Sequence, residues 1–123
     1  MSRYKKDLGD FGEKVAESFY RDHGYRILCK NYSVSSGELD LIVESDNCLV
    51  FVEVKTRRNL NYGYPAEAIT QKKLLHMKRA AEEYLLRNPY EKEIRFDAVE
   101  VLAVIVDGVP QLESINHIPN ILL

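Results

Sequence analysis

Charged side chains occupy alternate positions in two short segments of this chain. Glu38 and Asp40 lie in the first segment, and Glu53 and Lys55 lie in the second. Carboxylate oxygens are hard ligands that suit Mg²⁺ or Mn²⁺, and an ammonium group can stabilise negative charge on a phosphate. Such a set suits metal-assisted hydrolysis of a phosphodiester bond, provided that the fold brings the two segments together.

A hairpin would bring the two segments together. Segment 45–48 is the only turn-like break between two apolar runs, and it separates the charged segments. A hairpin that turns there places Asp40 opposite Glu53 and Glu38 opposite Lys55, whether its tip has two residues or four. Because side chains alternate between the faces of a strand, all four charged groups are expected on one face of the sheet.

The expected pairing of Asp40 with Glu53 favours a bound cation. Like charges directly opposite each other destabilise a sheet, and a divalent cation between them is the simplest remedy. The carbonyl of Val54 offers a third oxygen. Glu53 also lies in the apolar run 49–54, which is typical of a central buried strand, and acidic residues are rarely buried without a partner. The sequence therefore predicts Asp40, Glu53 and Val54 as ligands of Mg²⁺ or Mn²⁺.

The alternative is an ordinary charged face. Most charged residues on the open face of a hairpin are solvated or form weak ion pairs. Glu38 and Lys55 fit such a pair. Equally, Glu38 fits a partner that fixes the position of the Lys55 ammonium group.

Composition limits the remaining function classes. A chain of 123 residues predicts a single domain, 1–123. The 17 basic and 19 acidic residues give a net charge of -2, which counts against tight non-specific DNA binding but leaves room for a local basic patch. The two cysteines form no close-spaced metal motif, and no signal peptide is present, so a reducing cytoplasm is expected. The apolar stretches are of strand length, which argues against a membrane span.

Hydrophobic periodicity and turn residues give the order αβββαββ, which predicts an α/β fold with a mixed central sheet flanked by helices. The predicted helices cover 7–23 and 65–87, the second with a new cap near Thr70. The predicted strands cover 25–32, 37–45, 48–56, 94–106 and 111–118, with an Asp107-Gly108 turn before the last.

Several segments resemble the YraN-like bacterial family of the PD-(D/E)xK nuclease superfamily, which is similar to archaeal Holliday-junction resolvases. The matching segments are Gly12-Glu13, Gly37-Glu38-Leu39-Asp40, Phe51-Val52-Glu53-Val54-Lys55-Thr56-Arg57, Lys73 with Ala80-Ala81, and Arg95-Phe96-Asp97.

The resemblance implies a restriction-endonuclease-like αβββαβ core. It implies Asp40 and Glu53 as metal ligands and Lys55 as the catalytic lysine, and it implies that Glu13 reaches the same site from the first helix. The superfamily's proline before the aspartate is Leu39 here, which is compatible with the closer family.

The segment 57–64 follows directly from the strand that carries Lys55. Arg57, Arg58 and Tyr64 are expected to contact phosphates or stack on bases, although a polar loop with locally packed tyrosines fits the same residues. Lys73 matches the family pattern and is expected to extend this nucleic-acid surface from the second helix.

Together these features predict a Mg²⁺- or Mn²⁺-dependent endonuclease that acts on DNA, with branched or structured DNA as the expected substrate. The alternative is a non-catalytic module on a nuclease fold that binds nucleic acid or a protein. The resemblance to junction resolvases, which act as dimers, also suggests a homodimer. The apolar tail 118–123 is suited to packing either on the chain's own core or on a partner.

Overall fold

The computed structural model describes residues 3–58 and 70–121, and it contains the predicted order of two helices and five strands. These are α1 (Arg3–Asp22), β1 (Arg26–Val34), β2 (Gly37–Glu44), β3 (Cys48–Arg58), α2 (Gln71–Arg87), β4 (Glu93–Val106) and β5 (Val109–Ile118). No helix in these two ranges is both long and apolar enough to cross a membrane.

The five strands form one mixed sheet in the order β1-β2-β3-β4-β5. Neighbouring strands are antiparallel except β3 and β4, which are parallel. Parallel neighbours require a crossover, and α2 lies in the connection between these two strands. The apolar run predicted to be a central buried strand is β3, and residues 48–53 of this strand are all buried.

The two helices cover opposite faces of the sheet, because each face carries its own apolar cluster. Ala16 and Tyr20 of α1 pack with Leu41, Val50 and Val101. On the other face, α2 packs Met77, Ala80 and Ala81 against Leu49 and Phe51, among other residues. The result is an α/β fold consistent with a restriction-endonuclease-like core.

The predicted hairpin register is confirmed where β2 and β3 are paired. Leu41–Glu44 pairs with Leu49–Val52, and Ser45 N donates a hydrogen bond of 2.9 Å to the Cys48 carbonyl at the turn. The ladder ends at the pair of Leu41 with Val52, one pair before Asp40 and Glu53.

Element boundaries differ from the prediction at several places: β1 runs to Val34 instead of 32, and β5 begins at Val109 instead of 111, among others. Helix α1 begins at Arg3 instead of residue 7, and β3 extends to Arg58 instead of 56. Helix α2 begins after Thr70, whose side chain accepts a hydrogen bond from Lys73 N, as the predicted new cap required. The predicted helical residues 65–69 lie outside the described part of the chain.

A buried carboxylate of β4, Asp97, joins α1 to β4 and to the end of β5. Asp97 is fully buried and accepts hydrogen bonds from the Tyr20 hydroxyl and from Arg95 Nε, each at 2.8 Å. His117 Nε2 lies 2.8 Å from the same carboxylate, and the backbone N–H of Asn120 donates to it at 3.1 Å. Burial alone would raise the pKa of Asp97, but Arg95, His117 and Tyr20 together lower it. The network therefore fixes the end of β5 against α1 and β4.

Candidate active site

The candidate site begins where β2 separates from β3. Beyond Leu41 the two backbones no longer pair, and the Asp40 carboxylate accepts a hydrogen bond from a backbone N–H of β3. Val54 N donates a hydrogen bond of 2.7 Å to Asp40 Oδ2. A side-chain oxygen therefore stands where an antiparallel ladder would use a backbone carbonyl, and it holds the Asp40 carboxylate next to the strand that carries Glu53.

The predicted strict alternation of β2 side chains is wrong near Asp40. Leu39 packs in the cluster on the α2 face, whereas Leu41, two positions later, packs in the cluster on the α1 face. Beyond Leu41 the chain is paired with β1, where Lys30 pairs with Leu41 and Tyr32 with Leu39, and Asn31 between them has a φ of 53°. The charged side chains of the two strands therefore do not form one regular row on one face.

Glu53 is a buried carboxylate in contact with Asp40. The residue is 8% exposed, and its carboxyl group is close enough to Asp40 to share a hydrogen bond when one of the two is protonated. Burial, together with the neighbouring Asp40, raises the pKa of Glu53 to about 9, against the opposing effect of Lys73. In the metal-free protein this carboxyl group therefore holds a proton at neutral pH.

Lys73 links Glu53 to Glu38. Its Nζ lies 2.9 Å from Glu53 Oε2 and 3.2 Å from Glu38 Oε1. Among the described residues, no hydrogen-bond donor is well aligned with Glu53 Oε2, so Lys73 acts on this carboxyl group through its nearby positive charge. Burial alone would lower the pKa of Lys73, but the two glutamates raise it. The predicted pairing of Glu38 with Lys55 is wrong, because the ammonium group at Glu38 belongs to Lys73.

Glu13 approaches the site from α1. The preceding Gly12 packs so closely on β3 that a Cβ there would overlap the Thr56 hydroxyl. Partial burial and the charge of Asp40 raise the pKa of Glu13, although a hydrogen bond with Asn31 lowers it. Glu13 therefore lies near enough to Asp40 for their charges to interact, and its role at the site stays a prediction.

The basic residues of β3 lie further along the same strand. Lys55 is exposed and forms no ion pair with another described residue. Arg57 Nε lies 3.8 Å from Glu100 Oε2, and Glu100 is fully buried on β4 beside Lys55. Burial raises the pKa of Glu100, while Arg57 and Lys55 oppose that shift. Arg58 is exposed at the end of β3, and the predicted Tyr64 lies outside the described residues.

The acidic pair fits a hard dication by its chemistry, with a limited number of side-chain ligands. Within residues 3–58 and 70–121, no three His, Cys, Asp or Glu side chains form a group that could hold a metal. A metal at this site would therefore rely on the carboxylates of Asp40 and Glu53, the Val54 carbonyl and water. The buried Glu53 oxygen without an aligned donor is consistent with that role.

Two contacts of the site were missed by sequence reasoning. Lys73 was predicted to contact nucleic acid, and its place between two glutamates depends on the packing of α2 on the sheet. The Thr70 cap fixes the phase of α2, so the spacing from Thr70 to Lys73 was a usable signal. Glu100 was not considered, because its proximity to Lys55 and Arg57 depends on the parallel register of β3 and β4.

Comparison with known proteins identifies close relatives over nearly the whole chain. The sequence profile of the uncharacterised protein family UPF0102 matches residues 12–101. A UPF0102 protein of Syntrophomonas wolfei is 45% identical over 116 residues, which cover 94% of this chain and 96% of the relative. A UPF0102 protein of Caldicellulosiruptor saccharolyticus is 43% identical over 114 residues, covering 92% and 97% respectively. A third, of Clostridioides difficile, is 40% identical over 116 residues, covering 94% and 96%.

Proposed function

Because this chain belongs to the uncharacterised protein family UPF0102, the YraN-like family of the PD-(D/E)xK nuclease type, we propose that it is a metal-dependent endonuclease that hydrolyses phosphodiester bonds in DNA. Branched or structured DNA is the proposed substrate class. The observation that carries the proposal is the buried contact between Glu53 and Asp40 at the fork of β2 and β3. Two adjoining carboxylates at a strand fork are costly to ionise together, and a dication offsets that cost.

Each residue of the site has a proposed role. Asp40, Glu53 and the Val54 carbonyl hold Mg²⁺ or Mn²⁺, which when bound polarises the phosphoryl group and activates water. Lys55 is exposed on the strand that carries Glu53, and its ammonium group stabilises negative charge on the phosphate. Glu13 helps to orient the attacking water from α1.

Lys73 has a separate role before the metal binds. Its ammonium group balances the charge of Glu38 and lies beside Glu53, and so limits the electrostatic cost of ionising the site. Arg57 and Arg58 follow Lys55 along β3 and provide positive charge for neighbouring phosphates, with Tyr64 as a proposed stacking residue.

The test is cleavage of flap, junction, nicked and single-stranded DNA with Mg²⁺ or Mn²⁺. The wild-type chain is expected to cut at least one of these substrates. Asp40→Asn and Glu53→Gln are each expected to lower the rate by at least about a hundredfold, because each removes a carboxylate that would hold the metal at the reacting phosphate.

The matched control is Asp46→Asn at the hairpin tip, where the side chain is 92% exposed and lies at the opposite end of the β2–β3 ladder from the site. This variant is expected to cut at the wild-type rate. Equal activity in all four proteins would reject the site, and no cleavage by the wild-type chain on any substrate would reject the nuclease activity.

One observation favours the second candidate, a binding module without catalysis. In the metal-free protein Glu53 holds a proton and the Lys73 ammonium group is paired with Glu38, so the fold does not need a cation for its charge balance. A chain that binds DNA with an affinity independent of Mg²⁺, and that leaves all substrates intact, would support this candidate.

A further inference from the structure

A polar groove runs beside the candidate site, between α2 and the turn that joins β1 to β2. Its nearer part has a volume of about 530 Å³ and is lined by residues 33–38 together with His76 and Arg79. Its farther part has a volume of about 310 Å³ and continues past Arg79 to Glu83 and Arg87. The two parts share Arg79 and the serine-rich turn, so they form one continuous groove.

The groove opens at the candidate site. Glu38 lines its nearer part, and the Glu38 carboxylate shares the Lys73 ammonium group with Glu53. The nearer end of the groove is therefore separated from Glu53 only by the contact of Glu38 with Lys73, and we infer that a bound strand extends from the groove to the carboxylate pair.

The free charge in the groove is positive. Both acidic side chains on its wall have cationic partners, since Glu38 lies 3.2 Å from Lys73 Nζ and Glu83 lies 2.9 Å from Arg87 Nη2. Arg79 is exposed and makes no ion pair with any residue in the described ranges. Its guanidinium group is thus the cation that remains available to a ligand.

The opposite wall supplies hydroxyl groups. Ser33, Ser35 and Ser36 are all exposed at the turn, and each hydroxyl can donate a hydrogen bond. A planar guanidinium group facing several hydroxyl donors matches the oxygens of a phosphodiester, which accept hydrogen bonds and carry one negative charge.

We propose that this groove holds the phosphate backbone of the DNA strand whose scissile bond lies at Asp40 and Glu53, with Arg79 as its principal charged contact. The proposal rests on the proposed function. Its contacts are to phosphates, so it predicts binding that depends on salt and not on base sequence.

The test is DNA binding by the full chain in EDTA, where cleavage does not interfere. Binding of a labelled junction oligonucleotide is measured over a range of salt concentrations for the wild type, Arg79→Ala and Lys78→Ala. Lys78 is the matched control, because it is an exposed cation on the same turn of α2 that does not line the groove. Thermal unfolding of each variant checks that it is folded.

Arg79→Ala is expected to weaken binding about tenfold at low salt. The slope of log affinity against log salt concentration is expected to fall by about the amount that corresponds to one phosphate contact. Lys78→Ala is expected to change the affinity by less than about twofold. Equal effects of the two substitutions, an unchanged slope in Arg79→Ala, or no binding by the wild type would overturn the proposal. Binding of labelled polyglutamate is measured in the same way. If Arg79→Ala loses affinity for polyglutamate alone, the groove binds acidic protein segments and the proposal is overturned.

Cleavage with Mg²⁺, measured in parallel, separates the two proposals. If the wild type cuts DNA while Arg79→Ala binds like Lys78→Ala, the groove proposal fails and the nuclease proposal stands. If the wild type binds DNA through Arg79 but cuts nothing, the groove stands and the catalytic activity fails.

Discussion

At the scale of single residues, Glu53 is under a strong electrostatic constraint. It is buried, it adjoins a second carboxylate, and its pKa is raised to about 9 from an ordinary value of 4.5. A group whose pKa is raised on folding favours the folded state fully below its unfolded pKa, and it loses that contribution as the pH rises through its folded pKa. Glu53 therefore makes the metal-free fold less stable as the pH rises from about 4.5 to about 9.

Replacing Glu53 with glutamine removes this titration. Between about pH 5 and pH 9, the metal-free wild type is expected to lose at least about 1.4 kcal/mol more unfolding free energy than Glu53→Gln, the equivalent of one pKa unit. Urea unfolding at several pH values in EDTA measures this difference.

The control for this prediction is Glu91→Gln, since Glu91 is exposed before β4. Its pH dependence should follow that of the wild type. Parallel curves for the wild type and Glu53→Gln would show that the Glu53 carboxyl group titrates normally.

At the scale of elements, two glycines set how closely the helices approach the site. Gly12 lets α1 pack on Thr56 of β3, and the next residue, Glu13, is then near Asp40. Gly37 lets α2 pack on the start of β2, where a Cβ would overlap the carbonyl oxygen of His76. This approach brings Lys73, one turn earlier in α2, to Glu38 and Glu53. Both glycines directly precede acidic residues of the site, so the spacing between helix and sheet is part of its construction.

The prediction at this scale concerns Gly37→Ala. The overlapping atom belongs to the helix backbone and cannot rotate away, so α2 must shift, and we expect a loss of about 1–3 kcal/mol in unfolding free energy. Urea unfolding measures the change.

Gly9→Ala is the matched control, because Gly9 lies within α1 and a Cβ there meets no heavy atom within 4 Å. This substitution is expected to stabilise the chain by about 0.5–1 kcal/mol, since alanine favours the helix. Equal stability of the two variants would show that the close approach of α2 to Gly37 is not required.

At the scale of the whole molecule, local patterns in the sequence predict the element order and the hairpin register. The apolar run of β3 and the turn at 45–48 determine the pairing of Leu41–Glu44 with Leu49–Val52. The Asp107-Gly108 turn is confirmed with positive φ angles of 51° and 78°.

Contacts that depend on tertiary packing are harder to predict from local sequence patterns. At the fork, the Asp40 side chain replaces a backbone acceptor for Val54 N. The alternation of side chains along a strand does not predict such a replacement. The bridge formed by Lys73 depends on the distance between α2 and the sheet, which Gly37 sets through a contact distant in sequence. Sequence patterns thus predict which acidic residues adjoin, whereas the identity of the nearest ammonium group requires the packed structure.

The most direct test of the central claim is calorimetric titration of the full chain with Mg²⁺ near neutral pH, in two buffers of different ionisation enthalpy. We predict binding of one ion per chain with release of about one proton, because Glu53 is protonated in the metal-free protein. Binding should be lost in Asp40→Asn and Glu53→Gln and retained in Asp46→Asn. Failure of the wild type to bind Mg²⁺ even with DNA present, or binding that survives both substitutions, would contradict the claim that these two carboxylates hold the catalytic metal.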